Sequence, residues 1–262
     1  MKTLKFILGV LAGVLIALLY AGMIVLFIQK GELSNKLNEI ILGADPASQK
    51  VNTQVENPTK KPYVNATACD PLKCILPNCR CSGKDIPGSL PKSNTPQMII
   101  FMMDGGINAN NLQIYKDLFD NAKNPNNCPV VTTFYVSGDN TDYNMVKDRA
   151  QKGFEIADLS VTRRNPNTWW TNANRQQLEQ EILDQRTALN IKSGAVTYGW
   201  RNPFLSPVET TYQILYENDF LYDSSLGTGL SDRWWPFTLD YLPSVPCYLG
   251  NCPKNQCNNL CL

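Results

Sequence analysis

The chain has 262 residues, a net charge of +1 and 43% hydrophobic residues. This length and composition predict one main domain with a buried core and shorter flanking segments. The small net charge, with no basic patch or long run of one sign, argues against a nucleic-acid partner. The chain contains no histidine, so imidazole is excluded both as a catalytic acid or base and as a metal ligand.

The first 28 residues predict a membrane anchor. Residues 6–28 carry no charge and would extend roughly 35 Å as a helix, enough to cross a bilayer. Lys2 and Lys5 precede this segment, which favours a cytoplasmic tail at residues 1–5 and an extracellular or luminal domain. The alternative is a cleaved signal peptide and a secreted protein, although the apolar core of such a peptide usually runs only about 7–15 residues.

A polar segment follows the predicted anchor. Residues 29–68 form a predicted stalk, because after Gly43 they are rich in Asn, Thr, Gln, Lys and Pro without periodicity. The triplet that begins at Asn65 is a glycosylation sequon, which predicts a glycan there.

All nine cysteines lie beyond the apolar segment, a distribution typical of disulfides in an oxidising compartment. Four of them fall within residues 69–81, so residues 69–95 predict a stapled cap, with a metal-binding knuckle as the alternative. The four near the C-terminus are expected to pair, with Cys128 as one candidate partner. An odd total leaves one thiol, which together with small residues on one face of the anchor helix allows a homodimer. The disulfide candidates are Cys69, Cys74, Cys79, Cys81, Cys128, Cys247, Cys252, Cys257 and Cys261.

From residue 96 onward, strand and helix patterns alternate, which predicts βαβ units and a parallel sheet. Either a barrel or an open doubly wound sheet fits this alternation. The predicted strands are 98–103, 130–136, 155–159, 195–200 and 220–222, and the predicted helices are 110–121, 142–151, 173–190 and 208–218.

Polar side chains follow the predicted strands at the ends where α/β proteins carry their functional groups. The apolar run Ile99–Met103 is interpreted as a buried parallel strand that presents Asp104. The later strands are followed by residues 159–163, 201–204 and 223–225. The sequence therefore predicts a site at the carboxyl ends of the strands.

Several strings in this order closely resemble the chitin deacetylase-like branch of the NodB-type polysaccharide deacetylases, carbohydrate esterase family 4. They are Leu-Pro-Asn-Cys-Arg-Cys-Ser-Gly at 76–83, Asn-Pro-Asn-Asn-Cys-Pro at 124–129, Phe-Tyr-Val-Ser at 134–137, Thr-Asp-Tyr at 141–143, Leu-Tyr-Asp-Ser-Ser at 221–225 and Trp-Pro-Phe-Thr-Leu-Asp-Tyr at 235–241. The resemblance implies a distorted (β/α) barrel at residues 96–262. It also implies an ancestry of enzymes that deacetylate N-acetylglucosamine polymers with zinc or another divalent metal.

The resemblance breaks down at the metal. The base position of the family's Thr-Phe-Asp-Asp motif is kept as Asp104, but Gly105 replaces the aspartate ligand. Leu159 and Arg163 stand where the family has its two histidine ligands, so the resemblance implies no bound metal cofactor. Arg201 occupies the position of the arginine that orients the base. The family's remaining motifs, including its general-acid histidine, would lie after Leu262, so the barrel is expected to be incomplete.

These substitutions predict an inactive homologue that binds or organises chitin-type polysaccharide. The alternative is an active deacetylase that hydrolyses the amide C–N bond of N-acetylglucosamine. Asp104 is expected to pair with Arg201, and the Arg163 guanidinium is expected to help neutralise it. Candidate rings for stacking on sugars are Trp169, Trp170, Phe204, Trp234 and Trp235. The alternative for the four tryptophans is that they cover the core or fill a loop.

Overall fold

The structure is a computed structural model that describes residues 63–229, 231, 233–244, 247 and 252–261. Residues 258–261 are described by their backbone only. These residues belong to one compact unit, Lys60–Leu262. The predicted tail, the predicted anchor at 6–28 and the stalk up to residue 62 lie outside the described residues. Within the described part, no helix is both long and apolar enough to cross a membrane.

A seven-stranded sheet forms the centre of the fold, with the strand order β1-β2-β3-β4-β5-β7-β6. Neighbouring strands are parallel from β1 to β5 and between β5 and β7, whereas β6 is antiparallel to β7. The predicted parallel α/β sheet is thus confirmed. The strands are β1 Met102–Asp104, β2 Thr133–Val136, β3 Glu155–Asp158, β4 Gly199–Trp200, β5 Tyr222–Asp223, β6 Thr238–Leu239 and β7 Cys257–Cys261.

The strand register aligns the carboxyl ends of the strands at one edge of the sheet. Asp104 is paired with Tyr135 on β2. On the other side, Trp200 is paired with both Asp158 and Asp223. The segments that follow β1, β3, β4 and β5 therefore meet at this edge, as the sequence predicts.

The first strand is parallel as predicted, but the prediction that it is buried is wrong. β1 is at one end of the strand order, and Ile99 and Ile100 before it are 74% and 69% exposed. An apolar run indicates a strand that can be buried, but burial also requires a neighbour that packs against it. No second strand pairs with β1 among the described residues.

The described residues form five α-helices beside the sheet, and side-chain capping marks the start of two of them. Asp142 accepts a hydrogen bond from the Asn144 amide at the start of α2, and Asn174 and Gln177 form a reciprocal capping box at the start of α4. The one-turn helix α3 is too short to show a periodic pattern and was not predicted. The helices are α1 Leu112–Phe119, α2 Tyr143–Gln151, α3 Thr168–Asn172, α4 Arg175–Ala188 and α5 Glu209–Glu217.

The described residues contain three disulfides, Cys69–Cys81, Cys74–Cys79 and Cys247–Cys252. The first two confirm the stapled cap over the metal-binding alternative. The cap is fixed to the β6 region, since Arg80 exchanges hydrogen bonds with Thr238 and Ser82 accepts hydrogen bonds from the amide and the hydroxyl of Ser244.

Three cysteines that were predicted to form disulfides remain. The side chain of Cys261 lies outside the described part of the structure, and the other two are free thiols. Cys128 is exposed and Cys257 is buried. The Cys257 sulfur lies 3.9 Å from both the Tyr63 hydroxyl and the Tyr212 carbonyl oxygen, and burial raises the pKa of this thiol to about 12. Cys257 therefore behaves as a small core side chain.

Candidate functional site

An ion pair between Asp104 and Arg201 lies at the carboxyl edge of the sheet. Arg201 Nη1 is 2.9 Å from Asp104 Oδ1, so the predicted pair is confirmed. The Arg201 side chain is 12% exposed and that of Asp104 is 38% exposed. The carboxylate is therefore accessible from solvent, while the guanidinium is largely enclosed.

Contacts from three other residues hold the Arg201 guanidinium in place. Its Nε donates to the Ser224 carbonyl oxygen at 3.0 Å, and its Nη2 donates to the Ser224 hydroxyl at 2.7 Å. Nη2 also lies 2.8 Å from the Met102 sulfur, and the guanidinium carbon is 4.1 Å from the centroid of the Tyr135 ring. The sequence identified the strand ends but missed these partners. Of these partners, Met102 could have been predicted, because the two-residue side-chain period of a strand places Met102 and Asp104 on one face.

A buried carboxyl group fixes the ends of β4 and β5 relative to each other. Asp223 accepts hydrogen bonds from both the amide and the hydroxyl of Ser225. The same hydroxyl accepts a hydrogen bond from the Asn202 amide at 2.8 Å. Burial raises the pKa of Asp223 to about 6, against the lowering effect of the Ser225 donors. This network positions the segment that begins at Arg201.

The three positions at which the resemblance places metal ligands do not fit a metal ion. Gly105 has no side chain, and Leu159 is buried in an apolar cluster with Tyr135 and Ala157. Arg163 carries a permanent positive charge. Divalent metals bind through carboxylate, thiolate, imidazole or neutral oxygen donors, and none of these side chains offers one.

Elsewhere in the described residues, the one cluster that could supply several metal ligands is Cys69, Cys74 and Cys81. All three sulfurs are in disulfides, so they are not thiolates.

The segment that carries Leu159 and Arg163 has a strained backbone. Ser160 has φ 90° and Arg163 has φ 48°, values that residues other than glycine seldom adopt. Two local hydrogen bonds hold the turn, from the Ser160 amide to Asp158 Oδ1 and from the Arg163 amide to the Ser160 hydroxyl. Asp158 is fully buried, which raises its pKa well above the usual range of a carboxyl group.

Arg163 does not form the expected ion pair with Asp104. Within the described residues its guanidinium has no recorded ion pair or hydrogen bond, and its side chain is exposed. Nη1 of Arg163 lies 3.4 Å from the point that a Cβ atom on residue 105 would occupy. The guanidinium therefore borders Gly105, and within the described part of the chain the ion-pair partner of Asp104 is Arg201.

The predicted sugar-binding rings differ in how much of each is available. Trp170 is fully buried in the core and its indole N–H donates to the Arg164 carbonyl oxygen, so its prediction as a stacking ring is wrong. Trp169 and Trp234 are half-buried and pack against the same core, and Trp235 is half-buried with its amide bonded to the Gly83 carbonyl. Phe204 is 48% exposed, two residues after Asn202. Phe204 has the largest exposed fraction of the five residues.

Two curated relatives match most of this chain, although no family model matches it. Chitin deacetylase 8 of Bombyx mori is 38% identical over 195 residues, which are 72% of this chain and 51% of that protein. Chitin deacetylase 1 of Bombyx mori is 36% identical over 202 residues, which are 73% of this chain and 37% of that protein. The chain thus spans about half the length of the first relative and less of the second.

Solved structures of carbohydrate esterases and deacetylases also align with part of the chain. A family 4 carbohydrate esterase from Streptomyces lividans aligns at a TM-score of 0.41 and 17% identity, covering 49% of this chain and 62% of the esterase. A polysaccharide deacetylase from Mycobacterium smegmatis aligns at a TM-score of 0.36 and 24% identity, covering 45% of this chain and 37% of the deacetylase.

Proposed function

We propose that this chain, which is a chitin deacetylase-like protein of the NodB-type polysaccharide deacetylase family, binds or organises an N-acetylglucosamine polysaccharide such as chitin without hydrolysing it. The observation that carries the proposal is the site itself. The Asp104–Arg201 pair is present at 2.9 Å, whereas Gly105, Leu159 and Arg163 fill the ligand positions.

The reaction of metal-dependent deacetylases explains why these substitutions matter. In such enzymes the ion lowers the pKa of its bound water to about 7 and polarises the carbonyl group that is attacked. A carboxylate paired with a guanidinium supplies neither effect, and an amide is a poor electrophile. Asp104 can nevertheless accept hydrogen bonds from the hydroxyl and acetamide groups of a sugar, since its carboxylate is accessible from solvent.

The wider setting is part of the same proposal. The described parallel sheet would be the major part of a distorted barrel, and residues 6–28 would anchor the domain to a membrane with the domain outside the cytoplasm. Three disulfides support an oxidising compartment, which is also required for a glycan on the exposed Asn65. A homodimer is also part of this proposal. It would form through the anchor helix or through an unpaired cysteine such as the exposed Cys128.

Replacing Phe204 by Ala is expected to weaken binding of chitin oligomers by about fivefold, which corresponds to ~1 kcal/mol for one lost stacking contact. The ring is 48% exposed and follows β4 at the carboxyl edge. The affinity of the full-length chain for the oligomers, measured by calorimetry, tests this expectation.

The matched control is Tyr198→Ala. Tyr198 is also 48% exposed, but it precedes β4 and therefore lies at the opposite end of the strand. Equal losses of affinity in the two variants, or no loss in Phe204→Ala, would contradict the placement of the sugar at this edge.

A further inference from the structure

Arg163 carries a positive charge that no carboxylate pairs with in the described part of the chain. Arg201 is paired with Asp104 at 2.9 Å, and Arg164 is paired with Glu181 at 3.2 Å. The Arg163 guanidinium has no ion pair or hydrogen bond recorded within the described part of the chain. Its backbone amide alone is engaged, with the Ser160 hydroxyl.

The Arg163 guanidinium is exposed and lies beside Gly105. Gly105 has φ +126°, and a Cβ built there would lie 3.4 Å from Arg163 Nη1, with no other atom within 4 Å apart from the chain neighbours of Gly105. The absence of a side chain at residue 105 therefore lets the guanidinium contact the turn at Asp104–Gly106. A ligand group that approaches the guanidinium from solvent meets a planar set of N–H donors.

The charges of the neighbouring groups favour an anion over a neutral group. Asp104 and Glu181 already have arginine partners, so neither of them requires Arg163. Arg164 and Arg201 take these two carboxylates as partners, so the Arg163 charge has no ion-pair partner within the described residues. A guanidinium pairs with carboxylate and sulfate oxygens through two parallel hydrogen bonds, which is its strongest mode of recognition.

We propose that Arg163 binds a carboxylate or sulfate group carried by the polysaccharide, so that the preferred ligand is an acidic polysaccharide rather than neutral chitin. This inference rests on the proposed function, because it assumes that a polysaccharide occupies the site. The substitution that removes a metal ligand thereby creates an anion site. The acidic substituent lies against the exposed Arg163 guanidinium, beside the Asp104–Arg201 pair.

Affinities of the full-length chain for three length-matched oligosaccharides test this proposal. The probes are neutral chitin oligomers, hyaluronan oligomers, which carry carboxylates, and chondroitin sulfate oligomers, which carry carboxylates and sulfates. The acidic probes are expected to bind about tenfold more tightly than chitin oligomers at low salt, with an advantage that declines as ionic strength rises. Tight binding of hyaluronan identifies a carboxylate as the group that Arg163 binds. Tight binding of chondroitin sulfate without tight binding of hyaluronan identifies a sulfate.

Variants then attribute the preference to one side chain. Arg163→Gln is expected to lower the ratio of acidic to neutral affinity by about tenfold, and Arg163→Lys is expected to restore part of it. The matched control is Lys123→Gln, which removes one exposed positive charge before β2, at the opposite end of the strands. This control is expected to leave the ratio unchanged.

The outcomes separate the two proposals. Tighter or equal binding of the neutral oligomers, or the same loss of the ratio in Arg163→Gln and Lys123→Gln, overturns the anion site and leaves the proposed function standing. Failure of all three probes to bind overturns the proposed function itself.

Discussion

Replacing Arg149 by Met is expected to destabilise the domain by about 3 kcal/mol. The Arg149 side chain is fully buried, with its guanidinium 2.5 Å from Asp120 and 2.6 Å from Asp148, and it lies over the Phe154 ring. Methionine fills a similar volume but leaves both carboxylates without their main partner. Because Asp120 and Asp148 are partly exposed, water compensates some of the loss, so the lower end of the usual range is expected. Urea unfolding of the two proteins measures the difference.

Arg175→Met is the matched control for this change. Arg175 also pairs with two carboxylates, Glu179 and Glu217, but its side chain is 38% exposed. Such pairs contribute little, so a loss below about 1 kcal/mol is expected. Similar losses in the two variants would show that burial of Arg149 has no special role.

The dependence of stability on pH provides a second measurement on the Arg149→Met variant. Hydrogen bonds from Arg149 lower the pKa of Asp120 and of Asp148 in the folded state. A depressed pKa contributes stability above the unfolded pKa, and that contribution is lost as pH falls through the folded pKa. The native protein is therefore expected to lose stability on acidification below about pH 4, with a shallower loss in Arg149→Met.

Replacing Gly106 by Ala is also expected to cost about 3 kcal/mol. A Cβ on residue 106 would lie 2.4 Å from the Asp139 carbonyl oxygen and 2.8 Å from that of Asn140. Both are backbone atoms, so a rotamer change cannot relieve the overlap. The segment after β2 would have to move away from the turn that follows Asp104, and the site would move with it.

Gly83→Ala is the control for Gly106→Ala, since nothing lies within 4 Å of a Cβ on residue 83. Its midpoint of thermal unfolding is expected to stay close to that of the native protein. A Gly106→Ala protein that unfolds at the native midpoint would contradict the close approach of the two segments.

The sequence predicted the parts of the fold that local patterns determine. Alternating strands and amphipathic helices identified β1–β5 and four of the five α-helices in the described residues. The rule that parallel strands gather functional groups at their carboxyl ends placed Asp104 and Arg201 together, 97 residues apart in sequence. This pairing was predictable because sheet register, rather than a specific side-chain packing, brings the two residues together.

Burial was harder to predict than the elements, because it depends on which surfaces pack together. The apolar run before Asp104 belongs to a strand at the end of the sheet and is exposed, whereas Trp170 in a polar segment is fully buried. The strands β6 and β7 are short or polar and gave no signal. Cysteine pairing likewise depends on distances in the folded state, which is why Cys128 and Cys257 were predicted to be paired but are free.

The position of Arg163 could not be predicted from charge alone. Opposite charges on the same edge suggested that Arg163 would neutralise Asp104. In the structure Arg201 reaches Asp104 from β4, held by Ser224, and Arg163 borders Gly105 instead. The sequence gives the charges at the site, but the direction of each long side chain depends on the strained turn at Ser160–Arg163.

Acetate release tests the central claim most directly. The full-length chain is incubated with acetylated chitin oligomers and added zinc, beside a heat-inactivated sample and a chitin deacetylase of Bombyx mori as the positive control. Binding of the oligomers is measured on the same preparation. We expect binding with no acetate above the heat-inactivated sample. Zinc-dependent acetate release above that sample would contradict a binding protein that has lost its metal site.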